Sequence, residues 1–384
     1  MKGWVTKRLE EVADSDCSLS YGIVQPGEEF VDGLPVVRPT DLTMKVIELS
    51  ELKRIDPTLA AGYQRTTLQG GELLLCVRGS TGTISVASSE LSGANVTRGI
   101  VPIRFKKTLV DSNFGYYLMI ADQVQRQIRE KTYGAALMQI NIRDLRNIEI
   151  SFPPLAEQQR IVGVLDEAFQ GLATARANAE KNLQNARALF ESHLQAVFTQ
   201  RGPGWVETTL DDCCDQIFAG GDVPKDRLSK ERTSQYSVPI YSNGEKDDGL
   251  YGFTDVARVT EPSITVSARG TLGFTAIRTE PFLPVVRLIV LVPDEKQLSL
   301  SFLYYAVVGM DFGNTGTSIP QLTVPNFKES KLHVPSLLDQ RAIVERLDAL
   351  SAETQRLKSL YERKLAALEA LKKALLHQAF AGEL

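Results

Sequence analysis

Phe152-Pro153-Pro154-Leu155-Ala156-Glu157-Gln158-Gln159-Arg160-Ile161-Val162 and Val334-Pro335-Ser336-Leu337-Leu338-Asp339-Gln340-Arg341-Ala342-Ile343-Val344 are one segment written twice. The offset of 182 between them holds without a gap from Gly134/Gly316 to Phe198/Phe380. Each copy reads as a helix start. Proline is harmless in a first turn, where its missing N–H has no acceptor anyway, and the carboxylate of Glu157 or Asp339 meets the positive end of the helix dipole. Beyond Pro154, glycine returns only at Gly163 and Gly171 before Gly202, and neither glycine nor proline occurs from Ser336 through Phe380. Apolar stripes follow in steps of four and three. One is Ile161, Leu165, Ala168, Leu172, Ala175, Ala179, Asn182, Ala186, Leu189, His193; the other is Ile343, Leu347, Leu350, Thr354, Leu357, Tyr361, Lys364, Leu368, Leu371, Leu375. That spacing, sustained over about four heptads, predicts a coiled-coil seam. Leu165, Leu172, Leu189, Leu347, Leu357 and Leu368 are its candidate packing and partner-docking residues. A helix of about 45 residues is about 65 Å long. The alanine-rich first stripe suits close approach to the bulkier second. Asn182 and Lys364 share one repeat position, either as a polar pair fixing register inside the seam or as edge residues in water.

The repeat extends upstream with a changing offset. Gly3-Trp4-Val5 with Leu9 returns as Gly204-Trp205-Val206 with Leu210, an offset of 201. Val77-Arg78-Gly79-Ser80-Thr81-Gly82 returns as Ala268-Arg269-Gly270-Thr271-Leu272-Gly273, an offset of 191. The front of the unit therefore tolerates insertions and the back does not. Short alternating runs at Glu72–Val77, Ile84–Val86, Ser263–Val266 and Val285–Val292, punctuated by Gly and Pro, predict strands, with helical pieces at Phe114–Lys131 and Ser301–Val308. The expected fold is α+β: two similar mixed α/β globular domains, each followed by a long helix, the helices packed as an antiparallel coiled coil with pseudo-twofold symmetry. The expected boundaries are 1–150 and 202–332 for the globules, and 151–201 and 333–384 for the helices.

At 384 residues, with 43% apolar and 23% charged side chains, the chain is long enough for two or three cores. No stretch reads as a membrane span, and the start Met1-Lys2-Gly3-Trp4-Val5-Thr6-Lys7-Arg8 lacks the apolar core of a signal peptide, so the expected location is cytoplasmic. Cys17, Cys76, Cys213 and Cys214 form no C-x-x-C pair, and His193, His333 and His377 are scattered, which argues against a structural zinc or disulfide scaffold. A net charge of −4 argues against indiscriminate coating of nucleic acid but leaves room for a local basic face.

Enzyme motifs do not assemble. There is no phosphate-binding G-x-x-x-x-G-K-(S/T) loop. Phe152-Pro153-Pro154-Leu155 lacks the Asn and the aromatic residue with which an adenine methyltransferase holds a flipped base, and its repeat keeps only Pro335. Phe312-Gly313-Asn314-Thr315-Gly316 reads as a turn. Pro293-Asp294 with Glu329-Ser330-Lys331 could mimic a magnesium-holding nuclease set, but Pro-Asp after a strand is a common turn. No catalytic residue, metal or cofactor is expected.

The doubled Pro-Leu-x-(Glu/Asp)-Gln-x-x-Ile-Val start, together with the two Arg-Gly-(Ser/Thr)-x-Gly turns, resembles the specificity subunit of Type I restriction–modification enzymes over the whole chain. The resemblance implies two target-recognition domains, a central and a C-terminal conserved helix, and no catalytic centre. It implies binding to double-stranded DNA at a bipartite site, one half-site per recognition domain, with the helices setting the spacer. It also implies docking of two modification subunits that methylate adenine N6 using S-adenosylmethionine, which restriction subunits can join. Two alternatives stay open: the recognition subunit of a Type IIB-like enzyme, and a pseudo-dimeric protein-interaction scaffold without DNA binding.

Base edges are read by Arg or Lys on guanine and Asn or Gln on adenine, and phosphates are held by basic side chains, hydroxyls and backbone N–H groups. Arg78, Ser80 and Thr81, with Arg269 and Thr271, meet these needs on glycine turns that bring the backbone close; the alternative is a tight sheet turn with a paired arginine. Arg98 and Arg287 share a matched position beside a strand, as readers or as salt-bridge partners. Asn243, Lys246 and Tyr251 lie in a polar loop of the second unit, where Asn-Gly equally suits a hairpin turn. Tyr21, Gln25, Arg38 and Thr40 occupy a loop-like stretch of the first. Gln139 and Gln321 are aligned, as adenine readers or as loop ties.

Overall fold

The doubled segment begins a helix in both places. Leu155–Thr199, the central helix, and Leu337–Ala381, the C-terminal helix, are each 45 residues long. The structure is a computed structural model and describes residues 3–135, 137–310, 312 and 322–384. The chain forms two compact units, one of Met1–Asn178 with Lys364–Leu384 and one of Ala179–Arg363, so each long helix contributes to both. Among the described residues no helix is long and apolar enough to cross a membrane.

In the first unit, Leu73–Cys76 is buried on both faces and pairs antiparallel with Ile84–Ala87 and Ile100–Ile103; Val46–Ile47 adds a short edge beside Ile84–Ala87. A three-stranded sheet sets Leu34–Val37 between Lys53–Ile55 and Asn95–Val96. Val5–Arg8 pairs antiparallel with Glu149–Phe152 just ahead of the central helix. The expected helix over Phe114–Lys131 is two, Ser112–Ile120 and Asp122–Glu130, because Ala121 is extended (φ −66°, ψ 144°).

The second unit repeats the plan. Ser263–Val266 pairs antiparallel with Thr275–Arg278 and Ile289–Pro293, and Val238–Tyr241 lies between Leu250–Thr254 and Leu283–Pro284. Val206–Thr209 pairs with Lys331–Val334 ahead of the C-terminal helix. The extra edge strand differs: here Cys214–Ala219 joins beside Ile289–Pro293, on the opposite side of the shared three strands. The strand expected from Val285 starts only at Ile289, since Val286 and Arg287 have left-handed backbone (φ 54° and 60°).

The attachment of globule to helix is duplicated in detail. Gln158 is fully buried; its Oε1 accepts from the Asp111 N–H at 2.8 Å, and its Nε2 donates to the Leu109 and Pro153 carbonyls at 2.8 Å each. Gln340, also fully buried, accepts from the Ser299 N–H at 2.8 Å and donates to the Gln297 and Pro335 carbonyls at 2.8 and 3.0 Å. A buried amide with every partner present ties a loop, a helix start and the segment before it at once. Tyr117 donates to Asp166 on the central helix, and Tyr305 to Asp348 on the C-terminal helix at 2.5 Å. Phe114 packs between Trp4 and Phe380, with centroids 6.5 and 5.4 Å away, and Phe302 between Trp205 and Phe198, at 6.0 and 5.4 Å. Each core thus takes the start of one long helix and the end of the other.

Within each unit the two helices run antiparallel. In the first, Arg160 donates to the Leu384 carbonyl and Arg176 pairs with Glu369; in the second, Arg187 approaches Glu362, and Leu194 clusters with Leu347. Leu165 and Leu347 are fully buried, while Leu172, Leu357 and Leu368 are half-buried. The stripe departs from the expected one after Ala179 and Tyr361. Asn182 and Lys364 are exposed, and the inward positions are Leu183 and Leu365. Leu189 is 52% exposed, with Phe190 and Leu194 turned inward instead, and Leu371 is 47% exposed. Two successive steps of four keep a helix of 3.6 residues per turn facing its partner, where a strict alternation would drift off the seam.

Candidate nucleic-acid interface

In both units the matched arginines sit at one end of the common three strands. Val77 N–H donates to the Gly99 carbonyl at 2.8 Å, carrying the strand pairing one step past Cys76/Ile100 and setting Arg78 beside Arg98. Both side chains line a cleft of about 310 Å³ with Ile23, Val24, Thr97 and Leu137. Arg98 is exposed; Arg78 is half-buried, and its Nε is buried with no hydrogen-bond partner among the described residues. An orphaned buried guanidinium N–H is costly, so the structure around Arg78 spends stability on keeping the arginine there. Among the described residues neither arginine carries an ion pair, and the structural salt bridge is not made.

Gln139 joins this cluster through its backbone, which bridges Arg78 on one side and Tyr133 on the other. The hairpin it closes is pinned to the arginine turn by the Gly79 N–H on the Met138 carbonyl at 2.8 Å. Thr81 is spent on the same acceptor, its hydroxyl donating at 3.0 Å, so it ties the hairpin down rather than standing free. Ser80 is exposed at the tip. Arg38 is committed as well: its guanidinium donates twice to Asp41, whose carboxylate raises its pKa, and the backbone N–H caps the same side chain at 2.7 Å. Tyr21 is 37% exposed on the loop entering this end.

In the second unit Arg269, Thr271 and Arg287 are exposed. Asn243, a candidate base reader, has both ends of its amide occupied by protein. Oδ1 accepts from the Ala268 N–H at 2.8 Å, and Nδ2 donates to the Val286 carbonyl at 2.5 Å. It is a tie between the two arginine turns. Lys246 is exposed at the start of the Lys246–Gly249 turn. Tyr251 carries Lys230 over its ring at 4.2 Å, a cation that no motif singles out. Arg278 was equally silent: it is buried, stacks over Tyr241 at 3.6 Å, and donates to Thr265 and the Asp248 carbonyl. Its strand, Thr275–Arg278, is buried at its two ends and not in alternation, so no periodicity marks Arg278 as an inner residue. Gln321 lies outside the described residues.

The enzyme-like sets resolve into local structure. Asp294 caps its own turn, accepting from the Lys296 N–H and Gln297, while Lys331 pairs with Glu207. Among the described residues no group of three or more His, Cys, Asp and Glu side chains could hold a metal ion.

The model of the Type I restriction modification DNA specificity domain matches residues 1–182 and again 203–365. Two proteins of Mycoplasma pneumoniae named as type I specificity subunits are 33% identical over 211 residues and 35% identical over 219. Those matches take in 55% and 53% of this chain and 57% and 63% of the relatives, so the chain aligns with little more than half of their length. The specificity subunit of the Escherichia coli type I restriction enzyme EcoBI is 23% identical over 198 residues, 51% of this chain and 40% of that one. The fold matches a chain from a structure of the type I R-M system described for its assembly and conformational transition (TM-score 0.83, 21% identity, 100% of this chain and 99% of that one). It also matches the HsdS subunit of Thermoanaerobacter tengcongensis (TM-score 0.64, 21% identity, 100% and 98%).

Proposed function

The chain belongs to the Type I restriction modification DNA specificity family, and from that premise we propose that it reads a bipartite DNA target for a type I restriction–modification complex whose catalysis resides in partner subunits. Residues 1–150 and 202–332 each read one half-site, and the helices over 151–201 and 333–384 set the spacer and dock two modification subunits that methylate adenine N6. The observation that carries this reading is the duplicated pair of arginines, Arg78 with Arg98 and Arg269 with Arg287, at one end of each unit's strands. Arginine on guanine O6 and N7 is the commonest specific contact in the major groove, and an arginine on a glycine turn can reach it. Ser80, Thr271 and Lys246 supply phosphate or base contacts around each pair, and Gln139, whose backbone bridges Arg78, reads beside it.

The test is long-read methylation sequencing of a methylation-free host expressing this chain with a modification subunit from the same operon. The expected result is N6-methyladenine in two short half-sites separated by a fixed unspecified spacer. Deleting one heptad from the central helix and its C-terminal counterpart should change that spacer. A stable complex that adds no new modification would refute the reading and leave a scaffold.

A further inference from the structure

We propose that Asn243 is the positioning residue of the second recognition domain: its amide locks the Arg269 turn to the Arg287 turn and so fixes the readout of one half-site. The inference rests on the DNA-reading function proposed above. Four chain segments meet around this side chain, and its amide joins two of them directly. The Ala268 N–H, one residue before Arg269, donates to Oδ1 at 2.8 Å, and Nδ2 donates to the carbonyl of Val286, one residue before Arg287. The next residue reinforces the first contact, since the Gly244 N–H donates to the buried Ser267 hydroxyl at 3.1 Å. From the other side, the Val286 and Arg287 N–H groups donate to the Gly221 and Gly220 carbonyls at 2.7 and 3.2 Å.

What these contacts hold is an unfavourable backbone. Val286 and Arg287 both lie in the left-handed region (φ 54° and 60°), which L-residues avoid and β-branched ones avoid most. Val286 is 43% exposed, so burial of its own side chain does little to hold it there. Such a conformation persists only where the surroundings over-determine it, and such sites cluster at functional surfaces. Here it aims an exposed arginine. The first unit lacks the device. There the strand Leu34–Val37 matches Val238–Tyr241, so Pro39 stands where Asn243 stands. Pro39 packs directly on Gly99, and Thr97 and Arg98 have ordinary backbone. The clamp serves one reader only.

That asymmetry makes the role testable in the intact complex. Asn243→Asp keeps shape and acceptor but places a carboxylate oxygen against the Val286 carbonyl. With the modification subunit present, N243D should lose specificity at the positions of one half-site, with methylation there falling about tenfold or more, as for a reader moved from its productive position. The other half-site and assembly should stay as in the wild type, and the melting temperature should fall by no more than a few degrees, about the loss of one exposed hydrogen bond. Val286→Gly in the N243D background should restore the motif, because glycine takes the left-handed conformation without penalty. An unchanged motif in N243D overturns the proposal. So does equal loss at both half-sites, failure of assembly, or failure of V286G to restore, each of which marks Asn243 as merely structural. If the wild-type chain itself yields no bipartite motif, the underlying function falls and this inference with it.

Discussion

The attachment of each globule to the long helices and the reading end of each globule follow opposite rules. At the attachment the two units agree atom for atom: Gln158 and Gln340 make the same three hydrogen bonds, Tyr117–Asp166 mirrors Tyr305–Asp348, and a Trp–Phe–Phe cluster occurs in both. At the reading end only the arginines agree. The first unit uses a proline on a glycine and an Arg38–Asp41 cap, the second an asparagine clamp and a left-handed pair. Contacts that join each globule to the long helices are duplicated, whereas contacts that, on the proposed function, would face different half-sites are free to diverge. The sharpest way to break this comparison is to remove the buried amides. Gln158→Ala or Gln340→Ala strands three backbone groups away from water, at a cost of about 3 kcal/mol each. Each should lower the melting temperature by roughly 5–10 °C. Thermal melts of the two variants should agree within about 1 kcal/mol, the scatter expected between alike sites; one large and one negligible loss would show that the attachments are not equivalent.

The reading end should respond the other way. Arg78→Ala and Arg269→Ala each remove an exposed or half-exposed guanidinium, so stability should move by no more than about 0.5 kcal/mol. Discrimination should fall by about 1–3 kcal/mol, and only at the half-site that the arginine reads. Methylation motifs from the two single variants are the measurement. Loss confined to different half-sites supports two independent readers, and identical loss in both contradicts them.

How far the sequence revealed this follows the same division. The helix starts, the stripe and the paired arginine turns were legible because they recur at fixed offsets, and period and recurrence are properties a sequence displays. A strict three–four alternation turns Leu189 inward and is off by one residue, since it ignores the extra step of four that a long helix needs to stay on its partner. Asn243 looked like a reader because its chemistry suits adenine; only the fold reveals that Ala268 and Val286, far apart in sequence, have used both ends of the amide. Arg278 gives no signal at all, for its burial depends on Tyr241 from another sheet and on the Asp248 carbonyl of the Lys246–Gly249 turn.

The tyrosines sharpen the comparison at a smaller scale. Burial, and then the hydrogen bond to a carboxylate, pushes the hydroxyls of Tyr117 and Tyr305 above their ordinary range. The protonated form is the one favoured in the folded state. Their contribution is therefore complete below the unfolded value of about 10 and is lost as pH rises through the raised folded values. Tyr117→Phe and Tyr305→Phe should each cost about 1 kcal/mol at neutral pH. The difference in melting temperature from the wild type should narrow above about pH 10, equally in both units.

The smallest expected effect lies between the helices themselves. Arg176–Glu369 in the first unit and Arg187–Glu362 in the second are both about half exposed, and the second is open to 4.0 Å. Exposed pairs of this kind contribute about 0.2–1 kcal/mol, and salt screens them within about 10 Å at 0.1 M. Double-mutant cycles on the two pairs should give coupling near the lower end for Arg187–Glu362 and more for the tighter Arg176–Glu369, both fading at about 1 M salt. The buried leucines then remain as the force that holds the helices, and the charges serve to favour one antiparallel register over its neighbours. Coupling that survived high salt would assign the pairs a structural weight that their exposure does not support, and would move the frame's rigidity from the seam to its edges.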